Sequence, residues 1–309
     1  MSRSTALRQL TVPARVGQAL RPALFNAVPR LAGYLAFLAF CTPAISRHRS
    51  PDHVDLVRRA RFHLRLARSE TITTRAGEVV THIVEPLDGP PKASVLVVHG
   101  WTSEASFMMA IAEFLRRRRY RVVLPDLPAH GLSPGVRTSL IDCAHAVREV
   151  AEATGPIRLV VAHSMGGLAA LLAGGGGPPM PTPYPFEAYA LIAIPNRFQD
   201  VTRAFGREQG ISLPAQVEFE HRLEKIAFRR IEDFTGVSLL NATGRPALIV
   251  HARDDEEVAF ADAETIAGAC PTAALEAFDG FGHRKILYAP PVARSIGAFL
   301  DRELGGRTG

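Results

Sequence analysis

From residue 70 onward, short apolar runs alternate with longer segments whose apolar residues recur at helical spacing. Runs of five or six residues rich in Val, Leu and Ile are typical of buried strands. The predicted strands are 70–75 and 79–85, which form a hairpin, then 93–98, 121–125, 157–162, 188–194, 247–251 and 273–278. The predicted helices are 104–118, 139–154, 258–269 and 288–304. This alternation predicts an α/β fold with a mostly parallel sheet and helices on both faces.

The first 69 residues follow a different pattern, in which arginines alternate with apolar residues and prolines break the segment into short pieces. Residues 31–46 carry no charge, but this window of 16 residues is shorter than the roughly 20 that a membrane-spanning helix needs. We favour a helix that packs on the main domain. A membrane-surface helix and a transmembrane anchor are the two alternatives. Residues 52–68 predict a further amphipathic helix.

Composition narrows the class of protein. A chain of 309 residues with 47% hydrophobic and 21% charged residues fits a globular protein with a large core. Its three cysteines form no CxxC pair, which favours reduced thiols and a cytoplasmic location, with peripheral contact at the inner membrane as the alternative. The eleven histidines show no metal-ligand spacing, so no metal or cofactor is expected.

Charge is distributed unevenly along the chain. Residues 1–75 hold 13 Lys and Arg against three acids, within an overall net charge of +6. The remainder is therefore mildly acidic, and no nucleic-acid recognition motif accompanies the basic segment. We expect no nucleic-acid partner. Membrane-surface contact through residues 1–45 is the partner interaction that this charge allows.

The sharpest local signal surrounds Ser164. A β-branched and apolar run ends at Ala162, followed by His-Ser-Met, two glycines and an Ala/Leu-rich run. This order predicts strand, tight turn and helix, with Ser164 at the apex of the turn. Small residues on both sides have a physical reason, because the strand and helix backbones pass too close for larger side chains.

These residues resemble the nucleophile elbow of the α/β-hydrolase superfamily, in which a small-x-Ser-x-small turn exposes the serine oxygen above a sheet. Ala162 stands where the superfamily usually has glycine. The resemblance covers roughly residues 70–304 and implies the α/β-hydrolase fold. Within the superfamily the chain is similar to bacterial serine hydrolases of unassigned substrate, which pair a Phe-Cys-Thr-Pro-like segment with His-Gly-Trp and Ala-His-Ser motifs.

The superfamily order of serine, acid and histidine implies the other members of a catalytic triad. Asp255 follows His251 by four residues and precedes a valine by three, which is the superfamily spacing for the acid. Asp254 and Glu257 remain alternatives, since the geometry of this loop is not readable from sequence. His283 lies in a glycine-rich loop before the last helix and matches the catalytic base.

The resemblance also implies an oxyanion hole made by two backbone N–H groups. Met165, at the start of the helix after the nucleophile, provides one donor. Trp101, the third residue of His-Gly-Trp, provides the other, and its ring is a candidate wall of the acyl pocket. The neighbouring histidines His99 and His163 are expected to support the site and not to act as catalysts.

Residues 196–244 form an insertion that commonly acts as a lid in this superfamily. The predicted domains are therefore an N-terminal helical extension (1–69), a hydrolase core (70–195 and 245–309) and a small helical cap (196–244). If the insertion covers the site, Phe198, Phe205 and Phe219 are candidates for an apolar acyl site.

The predicted function is that of a carboxylesterase acting on a small-molecule ester through an acyl-serine intermediate. Thioester, amide and carbon–carbon bond hydrolysis use the same triad, as does cofactor-free perhydrolysis, so these reactions remain alternatives. The alternative from another class is a non-catalytic or membrane-associated binding protein on a hydrolase scaffold.

Overall fold

The computed structural model describes residues 28–43, 59–65, 67–180 and 182–305, and its centre is one eight-stranded sheet. The strands are β1 (Arg68–Thr74), β2 (Gly77–Val84), β3 (Ala93–Val98), β4 (Tyr120–Pro125), β5 (Ile157–His163), β6 (Ala188–Ile192), β7 (Ala247–Ala252) and β8 (Ala273–Phe278). Their order is β1-β2-β4-β3-β5-β6-β7-β8. The first two strands are antiparallel to their neighbours, and the rest are parallel. The predicted α/β fold is confirmed.

The helices surround this sheet. They are α1 (Pro29–Phe40), α2 (Met109–Arg117), α3 (Leu140–Ala153), α4 (Met165–Gly175), α5 (Phe198–Gln209), α6 (Leu213–Ala227), α7 (Gly236–Thr243), α8 (Phe260–Ala269), α9 (Gly282–Lys285) and α10 (Pro290–Gly305). Residues 59–64 are also helical and lie within the predicted helix 52–68, but this helix ends at residue 64, since Arg68 begins β1. Predictions for residues 1–27 and 44–58 lie outside the described residues.

Two hydrophobic clusters cover the two faces of the sheet. In β3 and β5, successive residues alternate between them: Leu96 and Val160 join one cluster, while Val97 and Val161 join the other. The first cluster also takes the apolar sides of α3 and α4, and the second takes those of α2 and α10. Central strands buried on both faces explain why the sequence shows continuous apolar runs in place of alternation.

One predicted helix is divided in the structure. Residues 104–118 were expected to form one helix, but a 3-10 turn (Ala105–Met108) precedes α2. The Asp126 carboxylate accepts a hydrogen bond of 2.7 Å from the N–H of Ala105 and pulls this segment toward the loop after β4. A tertiary contact therefore overrides the local helical pattern.

The strand order places the carboxyl ends of β3 and β5 together. From β3 the chain moves to one side to form β4, and it then crosses to the other side to form β5. Ligands bind at such a reversal in open α/β sheets, because the two following loops diverge and leave a crevice. The loops that begin at His99 and at Ser164 flank this crevice.

The N-terminal helix α1 packs on the main domain. Its buried side chains, among them Ala32, Ala36 and Phe40, join the hydrophobic cluster on the α4 side of the sheet or face α6. At Gly33 the two helices nearly touch, since an added Cβ would lie 2.7 Å from the Ala215 carbonyl oxygen. Of the three alternatives for this segment, the structure has the helix packed on the body. Across the described residues, no helix is long and apolar enough to cross a bilayer.

We expect Gly33→Ala to lower the free energy of unfolding by about 1–3 kcal/mol, the usual cost of overpacking. The added methyl would also lie 2.6 Å from Glu218 Cβ, so relief requires α1 and α6 to separate. Urea unfolding measures the change. Gly268→Ala in α8 is the matched control, because an added Cβ there meets no atom within 4 Å. Equal unfolding midpoints for both variants would contradict the packing described.

Candidate active site

Ser164 lies at the tip of a strained turn between β5 and α4. Its backbone has φ 52° and ψ −128°, a region that residues with side chains rarely adopt. The turn is held because the Ser164 N–H donates to the Ile192 carbonyl oxygen at 2.9 Å. At Gly166 an added Cβ would lie 2.2 Å from the His99 carbonyl oxygen. The small residues of the motif are therefore required by the close passage of the loop after β3.

That loop places Trp101, one of the two predicted oxyanion donors, beside the start of α4, which holds the other. A Cβ built on Gly100 would lie 3.1 Å from Ser164 Cβ, so Trp101 follows directly beside the elbow. Met165 begins α4 on the other side of the serine. Within the described chain, the N–H groups of Trp101 and Met165 donate to no other protein group. Both residues line one cavity, and their N–H groups remain available to an oxygen of a ligand.

Asp255 and His283 meet in the lining of the same cavity. His283 Nδ1 donates a hydrogen bond of 2.8 Å to Asp255 Oδ2, and both side chains are buried. A proton held on Nδ1 leaves Nε2 of the neutral ring as the basic atom. Ser164 and His283 line the same cavity, with no hydrogen bond between hydroxyl and imidazole in the described chain. Such contacts commonly tighten when substrate binds.

The Asp255 carboxylate is held in its charged form by four donors. Oδ1 accepts the N–H groups of Glu257 and Val258 at 2.9 Å each, while Oδ2 accepts from His283. His251 Nε2 lies 3.3 Å from the same Oδ2 and 3.0 Å from the Val258 carbonyl oxygen. Burial alone would raise the pKa of Asp255, but the hydrogen bonds from His251 and His283 outweigh it and hold that pKa well below its usual range.

The alternative acids occupy different positions. Asp254 accepts the N–H groups of Gly280 and Gly282 at 2.9 and 3.1 Å, so it braces the loop that carries His283. Glu257 pairs with Arg284 at 2.7 Å. Of the three acids left open by the sequence, Asp255 alone contacts the His283 imidazole. We therefore keep Asp255 as the proposed acid.

The cavity has a volume of about 620 Å³ and combines an aromatic wall with a charged rim. Trp101 and Phe205 line it, as does Phe40 from α1. Phe198 and Phe219, two of the predicted acyl-site residues, do not line it. Both are buried behind the wall and pack edge-on against Phe40, at 6.0 and 5.4 Å between ring centroids. The chain position of the insertion made them candidates but did not show which aromatic rings face the cavity.

Two supporting histidines have neutral, fixed roles. His99 Nε2 accepts the Leu127 N–H at 2.9 Å, which ties the loop after β3 to the loop after β4. His163 Nε2 donates to the His283 carbonyl oxygen at 3.0 Å. Burial, with His283 nearby, holds the pKa of His163 well below its ordinary value, so its ring is uncharged. His163 therefore fixes the backbone of the candidate base without competing for its proton.

Sequence reasoning missed two residues of the site. His251 was used only to count the four residues to Asp255, although its Nε2 contacts the carboxylate of Asp255. Phe40 belongs to the Phe-Cys-Thr-Pro-like segment of the resemblance, but its apolar ring gave no sign of a place in the cavity, because it lies far from Ser164 in sequence. For metals, the described residues contain no group of three or more His, Cys, Asp or Glu side chains able to hold an ion.

Comparison with known proteins establishes the family and the fold. The chain belongs to the alpha/beta hydrolase family, whose model matches residues 95–295. The Pyrococcus furiosus esterase Pf2001 has a similar structure, with a TM-score of 0.60 and 19% identity, covering 84% of this chain and 97% of that one. Est1E from Butyrivibrio proteoclasticus gives a TM-score of 0.59 at 17% identity, covering 77% and 99%.

A third similar structure is a membrane phospholipase A described as a bacterial virulence factor. Its TM-score is 0.58 at 19% identity, over 81% of this chain and 92% of that one. At such identities the likeness establishes the shared fold. Among curated proteins, no match was found.

Proposed function

We propose that this protein is a serine hydrolase that cleaves carboxylic esters with a small or medium acyl group through an acyl-serine intermediate. The observation that carries the proposal is the Asp255–His283 hydrogen bond of 2.8 Å in the cavity that Ser164 also lines. A serine hydroxyl is a weak nucleophile at neutral pH and needs an adjacent base. The strained turn presents the hydroxyl, and the buried pair supplies the base.

In the proposed mechanism, His283 Nε2 removes the proton of Ser164 as its oxygen attacks the ester carbonyl carbon. The same nitrogen then protonates the departing alcohol, and water repeats the sequence to release the acid. Asp255 holds the ring with its proton on Nδ1 and stabilises the imidazolium that forms. His251 is placed to orient Asp255, because its Nε2 contacts the oxygen that His283 uses.

The tetrahedral intermediate carries a negative oxygen that needs fixed donors. The N–H groups of Trp101 and Met165 are the candidates, and the second belongs to the first turn of α4, where the helix dipole adds a favourable field. Removal of one such donor typically costs 10²–10³ in kcat. Both donors are backbone groups, which a side-chain substitution does not remove. The contribution of the Trp101 N–H is therefore tested by substituting residues that hold the loop after β3.

The bond that is cleaved distinguishes the proposal from its alternatives. Hydrolysis by the purified protein is measured with p-nitrophenyl esters from acetate to palmitate. A thioester and a p-nitroanilide that carry the same acyl chain are measured in parallel. We expect hydrolysis of the esters with an optimum at a short or medium chain. Faster cleavage of the thioester or anilide would assign that bond in place of the ester. No turnover of any of them by folded protein would favour the binding-protein alternative.

We also propose that α1 brings the protein to an anionic membrane surface. Its outward side chains are apolar and exposed, with Val28 and Leu31 each 46% and Leu35 41% accessible to solvent. Arg30 lies beside them, and its side chain is almost fully exposed although its Nε is 3.9 Å from the Glu218 carboxylate. Residues 1–43 contain five arginines and no acid. An apolar stripe flanked by cationic side chains suits the interface of an anionic bilayer.

Sedimentation with vesicles tests this contact. We expect the protein to bind phosphatidylcholine vesicles that contain phosphatidylglycerol and to bind pure phosphatidylcholine less. The Leu31→Ser/Leu35→Ser variant should bind about tenfold more weakly, since two partly exposed leucines lose their burial in lipid. Val136→Ser is the control, because Val136 is 68% exposed on another loop. Equal binding by both variants, or binding that ignores lipid charge, would contradict the proposal.

A further inference from the structure

Phe40, the last residue of α1, lies in the wall of the catalytic cavity although it is far from the catalytic motifs in sequence. Its ring stacks on Trp101, with centroids 5.6 Å apart and planes inclined by 17°. Phe198, Phe205 and Phe219 surround it edge-on at 6.0, 5.2 and 5.4 Å. Phe40 lies outside residues 95–295, the part of the chain that the family model matches. The centre of this aromatic cluster is therefore supplied by the N-terminal extension.

Trp101 is held between Phe40 and His130. The His130 ring meets the indole edge-on at 5.2 Å, and its Nε2 accepts the N–H of Thr102 at 3.2 Å. Stacked and edge-on aromatic contacts restrict a ring beyond simple burial. Because the indole is fixed on two sides, the backbone N–H of Trp101 is also fixed beside Ser164. The stack with Phe40 thus bears on the geometry of the oxyanion hole.

The N-terminal extension is anchored at this point and does not merely rest on the surface. The Cys41 carbonyl oxygen accepts the Thr138 N–H at 2.8 Å, and the Thr42 hydroxyl donates to the Leu38 carbonyl oxygen at 2.6 Å. Burial raises the pKa of the Cys41 thiol to about 12, so this thiol packs in neutral form and does not act as a nucleophile.

A second contact from the extension reaches the same loop from residues 59–64. Arg61 makes two hydrogen bonds to Glu104, of 2.7 and 2.5 Å, and Glu104 is buried three residues after Trp101. A paired Arg and carboxylate with two parallel bonds is a directional contact. The oxyanion loop is therefore held by Phe40 at Trp101 and by Arg61 at Glu104.

We propose that Phe40 determines the acyl-chain specificity of this enzyme and positions the Trp101 oxyanion donor. This inference rests on the proposed ester hydrolysis. The acyl chain of the substrate lies along the surface formed by Phe40 and Phe205, and the Phe40 ring limits how long that chain is. The substrate class is an ester with an apolar acyl group that is short enough to end at this ring.

Two substitutions separate the two roles of Phe40. Phe40→Ala removes both the wall and the stack, whereas Phe40→Leu keeps most of the volume and loses the stack. On p-nitrophenyl esters from acetate to palmitate, we expect Phe40→Ala to move the optimum to longer chains by at least two carbons. Both variants should lose about tenfold or more in kcat on the short esters. This loss is part of the cost of deleting an oxyanion donor, because the Trp101 N–H is displaced and not removed. Phe40→Leu should keep the wild-type optimum.

Phe234→Ala is the matched control. Phe234 is buried in the cap segment and touches Phe198, but it does not line the cavity. Its removal should lower the unfolding temperature as Phe40→Ala does and leave the chain-length optimum in place. An unchanged optimum and kcat in Phe40→Ala, or the same shift in Phe234→Ala, would overturn the inference.

The emission of Trp101, the only tryptophan, provides a readout that needs no substrate. Loss of the stacked ring should shift this emission to the red and increase its quenching by acrylamide in Phe40→Ala but not in Phe234→Ala. Wild-type protein that cleaves no ester would contradict the proposed function. In that case a shifted emission still supports the positioning of Trp101 by Phe40, and an unshifted one overturns it.

Discussion

The Ser164→Ala variant is expected to lose roughly 10⁴- to 10⁶-fold in kcat on p-nitrophenyl butyrate, the range seen when a triad nucleophile is removed. The substitution deletes the attacking oxygen and leaves the buried Asp255–His283 pair and the cavity in place. KM should change little, since the hydroxyl contributes to attack more than to substrate binding. Steady-state kinetics at matched enzyme concentrations measure both constants.

Ser103→Ala is the matched control for this variant. Ser103 lines the same cavity and belongs to the loop after Trp101, but it is far from the elbow in sequence. Its activity should stay within a few-fold of wild type. A Ser164→Ala variant that keeps more than a tenth of the wild-type kcat would exclude an acyl-serine mechanism at this residue.

The second large effect is expected for Asp255→Asn, which should lower kcat by about 10⁴-fold at neutral pH. The amide keeps the size of the side chain but can donate to His283 Nδ1, which favours the tautomer with its proton on Nε2. That tautomer cannot accept the proton of Ser164. The substitution also removes the negative charge that stabilises the imidazolium. Kinetics on the same ester check the prediction.

Asp254→Asn isolates this effect from damage to the loop. Asp254 is the neighbouring residue, and its carboxylate accepts the N–H groups of Gly280 and Gly282 without contacting the imidazole. The amide oxygen can still accept one of these bonds, so we expect less than a tenfold loss. A larger loss in Asp254→Asn than in Asp255→Asn would mean that the two acids have been assigned in the wrong order.

The strands and the elbow were predictable because their signals are local. Every central strand is a short apolar run, since both faces of the sheet are covered, and the turn at Ser164 needs small residues that are visible in the sequence. The superfamily order of serine, acid and histidine then implied which loops after Ser164 carry the proposed acid and base. These parts of the fold depend on residues close together along the chain.

The parts that were not predictable depend on contacts between distant segments. The sequence favoured packing of α1 on the body but did not show its partner, which is α6, whose surface accepts Gly33. The choice between Asp254 and Asp255 depends on the turn that directs one carboxylate to His283 and the other to backbone amides. Phe198 and Phe219 were candidates for the acyl site because they belong to the predicted cap, and the sequence does not show that both rings pack against Phe40.

The acyl-serine mechanism is tested most directly by reacting the folded protein with an alkyl fluorophosphonate and mapping the adduct by mass spectrometry of its peptides. We expect one phosphonylated residue, Ser164. Its adduct should form rapidly at neutral pH, and its formation should be slower by orders of magnitude in Asp255→Asn. Ser103 and the other described serines should remain unmodified. Absence of an adduct, or modification at any residue other than Ser164, would contradict the proposed function.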